Sequence, residues 1–268
     1  DNRIAAVEPV RVGSEGELRQ EVDKISTQLE PEQKWGVKVQ AMQRLEALVL
    51  GRCWTSPAFP QMVLGLKDGL ARQIQDQRSA LCRQGCHLLA VMAEEMTTAM
   101  EPLMEQLLPV LLRGVMVTKK VIAESCHQCA LTLLFHCHGT RAILKLTEAS
   151  VKERHGKIRG AAFDYLQLVL EEWQPGIYEP YLDGMMAAIQ TGLGDSIPGA
   201  RASARNCFIA LSRAWELAGE QLFAGLNPTM QRSIQQASSQ YRRVYTAASS
   251  SIIGSSARSS GGGGGGAP

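Results

Sequence analysis

Phenylalanine, tryptophan and tyrosine together make up only 5% of this 268-residue chain. Leu, Ala, Met, Glu and Gln are plentiful, a composition that disfavours a sheet built on aromatic and β-branched side chains and favours helices. A second shortage is of uninterrupted apolar sequence. The stretch 103–117 is broken by Glu105, Gln106, Pro109 and Arg113, too short and too polar to cross a bilayer. A third is of acid at the C-terminal end: beyond residue 220 there are four arginines (Arg232, Arg242, Arg243, Arg258) and no Asp or Glu. The remaining 24 basic and 26 acidic residues leave the body close to neutral, without the broad basic field of a duplex-binding domain. Any basic surface must therefore be local. No secretory signal is recognisable at the N-terminus, and the seven cysteines are odd in number and lie mostly in apolar helical runs. They read as reduced thiols of a cytosolic protein.

Catalytic signatures are missing as well. There is no Ser-His-Asp set, phosphate-cradling glycine loop or His-Glu-x-x-His helix, and the glycine run 261–266 follows no strand. The pairs Glu94-Glu95 and Glu171-Glu172 read as solvated helix-end charge. No enzyme is expected. Cys126-His127-Gln128-Cys129 followed by His136-Cys137-His138 offers zinc-type ligands at close spacing. On a helix, however, the cysteines continue the apolar stripe while His136 and His138 point to different faces. These thiols, with Cys82 and Cys86, read as structural, and neither metal nor cofactor is expected.

What is present is helical periodicity, with a 45% hydrophobic content large enough to supply a sizeable core. Leu18, Val22, Ile25 and Leu29 form one stripe, and Val63, Leu66, Leu70 and Ile74 another. Two further stripes are Ile122, Cys126, Cys129, Ala130, Leu133 and Cys137, and then Ala204, Cys207, Phe208, Leu211 and Trp215. Breakers at 51–60, Pro102, Gly139-Thr140, 173–176 and 194–198 divide the helices into pairs. The predicted fold is all-α, a HEAT-repeat α-solenoid of five helix-turn-helix units plus a closing helix near 218–236. The turns within the units fall near Trp35, Arg78, Lys120, Arg159 and Arg201, a period of about 40 residues. Residues 1–13 read as an extended lead-in, 14–240 as the repeat domain, and 241–268 as a disordered Ser/Gly-rich linker.

Stacked pairs align their turns along one edge, and the turns are where the sequence becomes specific. They read Lys34-Trp35-Gly36-Val37-Lys38, Asp76-Gln77-Arg78-Ser79, Thr118-Lys119-Lys120-Val121, Lys157-Ile158-Arg159-Gly160, and 195–205 with Arg201 and Arg205. A tryptophan in the first turn and basic residues in the other four form a pattern that resembles the TOG domain. The segments 160–174 (GAAFDYLQLVLEEWQ) and 201–208 (RASARNCF) are similar to CLASP proteins, in particular to the second TOG domain of that family. The likeness covers roughly residues 15–240. Lys34, Lys119 and Lys157 add charge beyond the usual pattern, and the stretch Glu153-Arg154-His155-Gly156 has no close counterpart in it.

The resemblance implies a paddle-shaped domain whose turn edge binds αβ-tubulin, with Trp35 at the β-tubulin end and Arg159, Arg201 and Arg205 facing α-tubulin. Trp35, Lys38, Arg78, Ser79, Lys119, Lys120, Lys157, Arg159, Arg201 and Arg205 are the expected contacts. The implied activity is microtubule stabilisation, with rescue promoted and catastrophe suppressed, in the cytoplasm on microtubules and the spindle. The expected partners are αβ-tubulin or the microtubule lattice and other domains of a longer protein. A monomer that binds neither membrane nor nucleic acid is expected. Physical chemistry agrees, since tubulin is acidic and a basic edge with an aromatic anchor suits it.

Competing readings exist for these residues. Trp35 at a helix start also suits a staple packed on the adjoining turn, and Arg201 and Arg205, four apart, suit a structural contact on one helix face. A HEAT adaptor would instead bind peptides or partner helices on its concave face. Gln240-Tyr241-Arg242-Arg243 offers charge beside an aromatic for single-stranded nucleic acid.

Overall fold

The computed structural model describes residues 4–245. Fourteen α-helices follow one another: α1 (Glu15–Gln28), α2 (Trp35–Leu50), α3 (Phe59–Leu64), α4 (Lys67–Ile74), α5 (Ser79–Met96), α6 (Glu101–Gly114), α7 (Lys120–His136), α8 (Arg141–Lys152), α9 (Gly156–Glu172), α10 (Pro175–Tyr178), α11 (Leu182–Leu193), α12 (Pro198–Ala214), α13 (Glu216–Ala224) and α14 (Pro228–Ser238). Among the described residues there is no strand, and no helix is long and apolar enough to cross a membrane.

Five pairs build the array: α1/α2, α3–α4/α5, α6/α7, α8/α9 and α11/α12. The second helices α2, α5, α7, α9 and α12 pack on one another in succession, and α4, α6, α8 and α11 form the parallel row. A helix covered on several sides must be apolar on several sides. Hence α9 buries Ile158, Ala162, Phe163, Tyr165, Leu166, Leu168 and Val169, while α8, in the outer row, buries the narrower set Ala142, Ile143, Leu146 and Ala149.

The repeat period is written in the hydrogen bonds. Gln73 Nε2 donates to the Leu29 carbonyl 44 residues back, His87 pairs with Glu46 across 41, Cys137 Sγ reaches the Thr97 carbonyl across 40, and Trp173 Nε1 the Leu134 carbonyl across 39. Each is a buried or half-buried polar group satisfied by the preceding repeat, as groups removed from water must be.

The stripes expected from sequence are buried, with two modifications. The stripe Val63, Leu66, Leu70 and Ile74 is fully covered but lies on two short helices, because the chain breaks at Gly65 and Leu66. Trp215 leaves its stripe to sit half-buried at the C-cap of α12. Within the expected lead-in, the described residues 4–13 form no helix and dock on α2: the Val10 N–H donates to the Ala47 carbonyl at 2.8 Å. Gly51 permits this, since a Cβ there would lie 1.8 Å from the Val10 carbonyl oxygen.

Pro109 interrupts α6 without breaking it. It cannot donate to the carbonyl of Glu105 four residues earlier, and the ammonium of Lys145 on α8 takes that acceptor instead. Lys145→Met is expected to leave the Glu105 carbonyl without this donor and to cost about 1–2 kcal/mol. Chemical denaturation checks this, and an unchanged midpoint would refute it.

The boundary placed at residue 240 needs correction. Residues 241–245 run back across the second helices as a strap. Tyr245 is 1% exposed, its hydroxyl bonds Thr132 Oγ1 of α7 at 3.1 Å, and its ring lies 5.0 Å from that of Phe135. On α9, Gln167 Nε2 donates to the Arg242 carbonyl and Glu171 accepts from the Tyr241 hydroxyl. On α12, the Arg213 guanidinium covers the Tyr241 ring at 4.0 Å. Burial, reinforced by the Glu171 carboxylate, raises the Tyr241 phenol above its ordinary pKa. A five-residue segment with one large apolar anchor has no periodicity, so its polar composition reads as linker. Residues 246–268, the rest of that expected linker, lie outside the described residues.

Candidate functional site

The five turns that lead into α2, α5, α7, α9 and α12 align along one edge. None of these second helices has a side-chain cap at its N-terminus, whereas Ser14 and Asn227 cap α1 and α14. Unpaired first-turn amides and the positive ends of five helix dipoles therefore point to the same edge and add to its basic side chains.

Trp35 is the first helical residue of α2 and is 59% exposed. An aromatic of this size is usually packed against something. More than half of the Trp35 surface is left to solvent at one end of the edge. Lys38, one turn further in, donates to the Pro31 carbonyl at 3.1 Å and holds the first turn closed. In the second turn Arg78 and Ser79 are exposed, and Asp76 shapes the backbone by accepting the Arg78 N–H at 2.7 Å. In the third, Lys119 crosses to the Gln77 carbonyl at 2.8 Å, while Lys120 projects outward, paired with Glu124 at 3.5 Å.

The last two turns are fastened together. Arg159 forms a two-pronged pair with Asp195, Nε to Oδ2 at 2.6 Å and Nη2 to Oδ1 at 2.7 Å, and both side chains are largely covered. Its remaining nitrogen donates to the Glu153 and Arg154 carbonyls. The hydrogen bond from Arg159, aided by the Ile197 N–H and the charge of Arg201, holds the Asp195 carboxyl below its ordinary pKa and raises that of Arg159 in return. Gly156 lets the turns approach closely, since a Cβ there would lie 2.5 Å from Ile197 Cγ1. Arg201 donates to the Asp195 and Ser196 carbonyls. Arg205, two turns into α12, is partly covered, and burial together with nearby Arg201 lowers its pKa. Lys157 is exposed.

The ten expected contacts therefore fall into three groups. Trp35, Arg78, Ser79, Lys120 and Lys157 present side chains outward. Lys38, Lys119, Arg159 and Arg201 spend theirs on shaping or tying turns, and Arg205 lies back from the rim. Apolar residues not singled out from sequence join the rim: Met116 and Val117 before α7, Val121 in its first turn, and Ile197 before α12, all substantially exposed. Their signal was their phase, as Val121 adjoins buried Ile122 and cannot share its face.

Over residues 18–235 the sequence matches the family described as CLASP N terminal. The chain belongs to that family. The CLASP assignment is supported by a CLIP-associated protein of Arabidopsis thaliana, 32% identical over 239 residues that cover 88% of this chain. CLIP-associating protein 1-B of Xenopus laevis is 23% identical over 84% of it. The chain spans 16% of the length of each of these two relatives. Among solved structures, a chain described under "Structural Basis of Microtubule Plus End Tracking by XMAP215, CLIP-170 and EB1" superposes with a TM-score of 0.66 at 15% identity. It covers 90% of this chain and 97% of its own. The MAST/Orbit N-terminal domain gives 0.58 at 15% identity, covering 87% of this chain and 98% of its own. Importin beta gives 0.56 at 13% identity, over 82% of this chain and 28% of its own. These likenesses show an α-solenoid fold, and the family is shown by the sequence match.

Proposed function

We propose that this CLASP-family chain is a TOG-type module, of the kind that stands second in CLASP proteins, and that its turn edge binds αβ-tubulin. Trp35 sits at the β-tubulin end, and the module serves microtubule stabilisation and rescue on the cytoskeleton. The observation that carries the reading is Trp35, left 59% exposed at the head of a line of basic side chains and uncapped helix N-termini. Exposed aromatic area gains most when a partner desolvates it, and the flanking charges steer an acidic partner toward it. The names of the relatives agree: a structural neighbour at 15% identity is described as concerning tubulin recruitment and assembly by microtubule polymerases with TOG domain arrays.

The adaptor alternative needs the face lined by the second helices. Over α7, α9 and α12 that face is partly occupied by residues 241–245. The nucleic-acid alternative needs a free Tyr241, which instead packs beneath Arg213.

The test is microtubule co-sedimentation and gel filtration with free tubulin, comparing the wild type with Trp35→Glu and with Arg78→Glu combined with Lys120→Glu. Loss of a desolvated aromatic anchor is expected to weaken binding by about 30-fold or more, equivalent to roughly 2 kcal/mol. The charge reversals should weaken it most at low salt. All variants should keep wild-type helical circular dichroism. A wild type that binds neither form of tubulin would overturn the proposal.

A further inference from the structure

Among the described residues, a cluster of thiols lies at the junction of α5 and α7. Cys82 and Cys86, one turn apart on α5, meet Cys126 on α7, and the three Sγ atoms all lie within 4.8 Å of one another. Cys82 Sγ and Cys126 Sγ are 3.8 Å apart. Cys129, the next turn of α7, contacts Cys86. All four are buried free thiols. From sequence all of these thiols are expected to be structural, since they continue apolar helical stripes and the nearby His136 and His138 point to different faces. The partner that Cys126 meets, Cys82, stands 44 residues earlier.

Two features of this cluster suit it to holding a metal ion. A metal–sulfur bond of about 2.3 Å puts neighbouring sulfurs of a tetrahedral shell about 3.8 Å apart, which is the spacing between Cys82 and Cys126. In addition, Cys82 lies in the first turn of α5, whose N-terminus has no side-chain cap. The helix dipole there favours a thiolate over a thiol. Contacts with Cys126 and Cys86 lower the Cys82 thiol further, and contacts with Cys82 and Cys126 in turn raise those of Cys126 and Cys86 respectively.

We propose that Cys82, Cys86 and Cys126, with Cys129 available as a fourth ligand, form a thiolate site for a thiophilic closed-shell cation, zinc or copper(I), bound between the second helices of the second and third repeats. Sulfur ligands select such cations over magnesium or calcium. Three thiolates leave a net charge of about −1 with Zn2+ and about −2 with Cu+, so zinc carries the lower burial cost. Binding releases the thiol protons to solvent and forms metal–sulfur bonds, with no change of oxidation state. The site also has a mechanical position. Cys82 lies four residues after Arg78 and Cys126 six after Lys120, so a cation there fixes the spacing of the second and third turns.

The experiment uses the reduced, metal-free chain titrated with Cd2+, a spectroscopic stand-in for Zn2+. A thiolate-to-cadmium charge-transfer band that saturates at one Cd2+ per chain is expected. It should persist in Cys53→Ala and Cys207→Ala and fall at least about tenfold in Cys82→Ala combined with Cys126→Ala. Should that double variant lose its helical circular dichroism, X-ray absorption of the cadmium-loaded wild type decides: three or four sulfur neighbours support the site, and oxygen and nitrogen neighbours alone overturn it. Displacement of Cd2+ by Zn2+ assigns the site to zinc, and displacement by Cu+ alone assigns it to copper(I). Absence of the band at stoichiometric Cd2+, or its survival in the Cys82/Cys126 variant, overturns the proposal.

Discussion

Tyr245→Ala is expected to lower stability by about 3 kcal/mol, within the range for removing a fully buried aromatic ring. For a domain of this size that corresponds to a fall in Tm of roughly 6–12 °C. Nearly all of the effect belongs to the ring. Thr132 Oγ1 also donates to the Gln128 carbonyl, so loss of the tyrosine hydroxyl leaves no orphaned group on α7, and Tyr245→Phe should cost about 1 kcal/mol or less. Cutting the chain after residue 240 is expected to do no more damage than Tyr245→Ala, because freeing five ordered residues returns about 1–2 kcal/mol of conformational entropy each. Differential scanning calorimetry of these three chains tests the ranking. If Tyr245→Ala melts within a degree of the wild type, residues 241–245 are not docked in solution.

Asp195→Ala is expected to cost about 2–3 kcal/mol, because it breaks a two-pronged charged pair and strips the Ile197 N–H of its acceptor while leaving the covered Arg159 guanidinium unmatched. The pair carries its own pH signature. Arg159 holds the folded Asp195 carboxyl below its ordinary pKa, so its stabilisation is fully present above about pH 4, the unfolded value, and disappears as pH falls through the lower folded value. The difference between the wild type and Asp195→Ala should therefore be constant from pH 7 to about pH 5 and shrink below about pH 4. Thermal melts across that range decide, and a difference independent of pH down to pH 3 would exclude the ion pair as its source. Since Arg159 fastens the fourth turn to the fifth, Asp195→Ala should also weaken tubulin binding, although Asp195 itself need not touch the partner.

The repeat architecture was legible because it is local. Stripes such as Leu18, Val22, Ile25 and Leu29 repeat at three- and four-residue spacing, and the breakers between them mark each turn. All four of these residues are buried. The register of the turns was legible for the same reason, as the five second helices begin within a few residues of the expected positions. Less legible was the use made of each basic residue. Nothing near Arg159 in sequence announces that its partner stands 36 residues away, or that Lys119 reaches back 42 residues to Gln77. A charge at a turn looks the same from sequence whether it faces solvent or ties one repeat to the next. The cysteine cluster and the strap were hidden by the same distance effect, since their contacts run between repeats or, for Tyr245 and Thr132, across 113 residues. The break at Gly65 and Leu66 was hidden differently, because an interrupted helix keeps its apolar stripe.

In a stack where each repeat touches only its neighbours, compliances add as they do for springs in series, and the softest junction takes most of any bend. Residues 241–245 change that sum, because one short segment is anchored at once on α7, α9 and α12. The third to fifth repeats then behave as a single braced beam, further tied at its rim by Arg159 and Asp195. The first two repeats have no such brace among the described residues. The rim residues Arg159 and Arg201 therefore stand on the braced part of the stack, and Trp35 stands outside it.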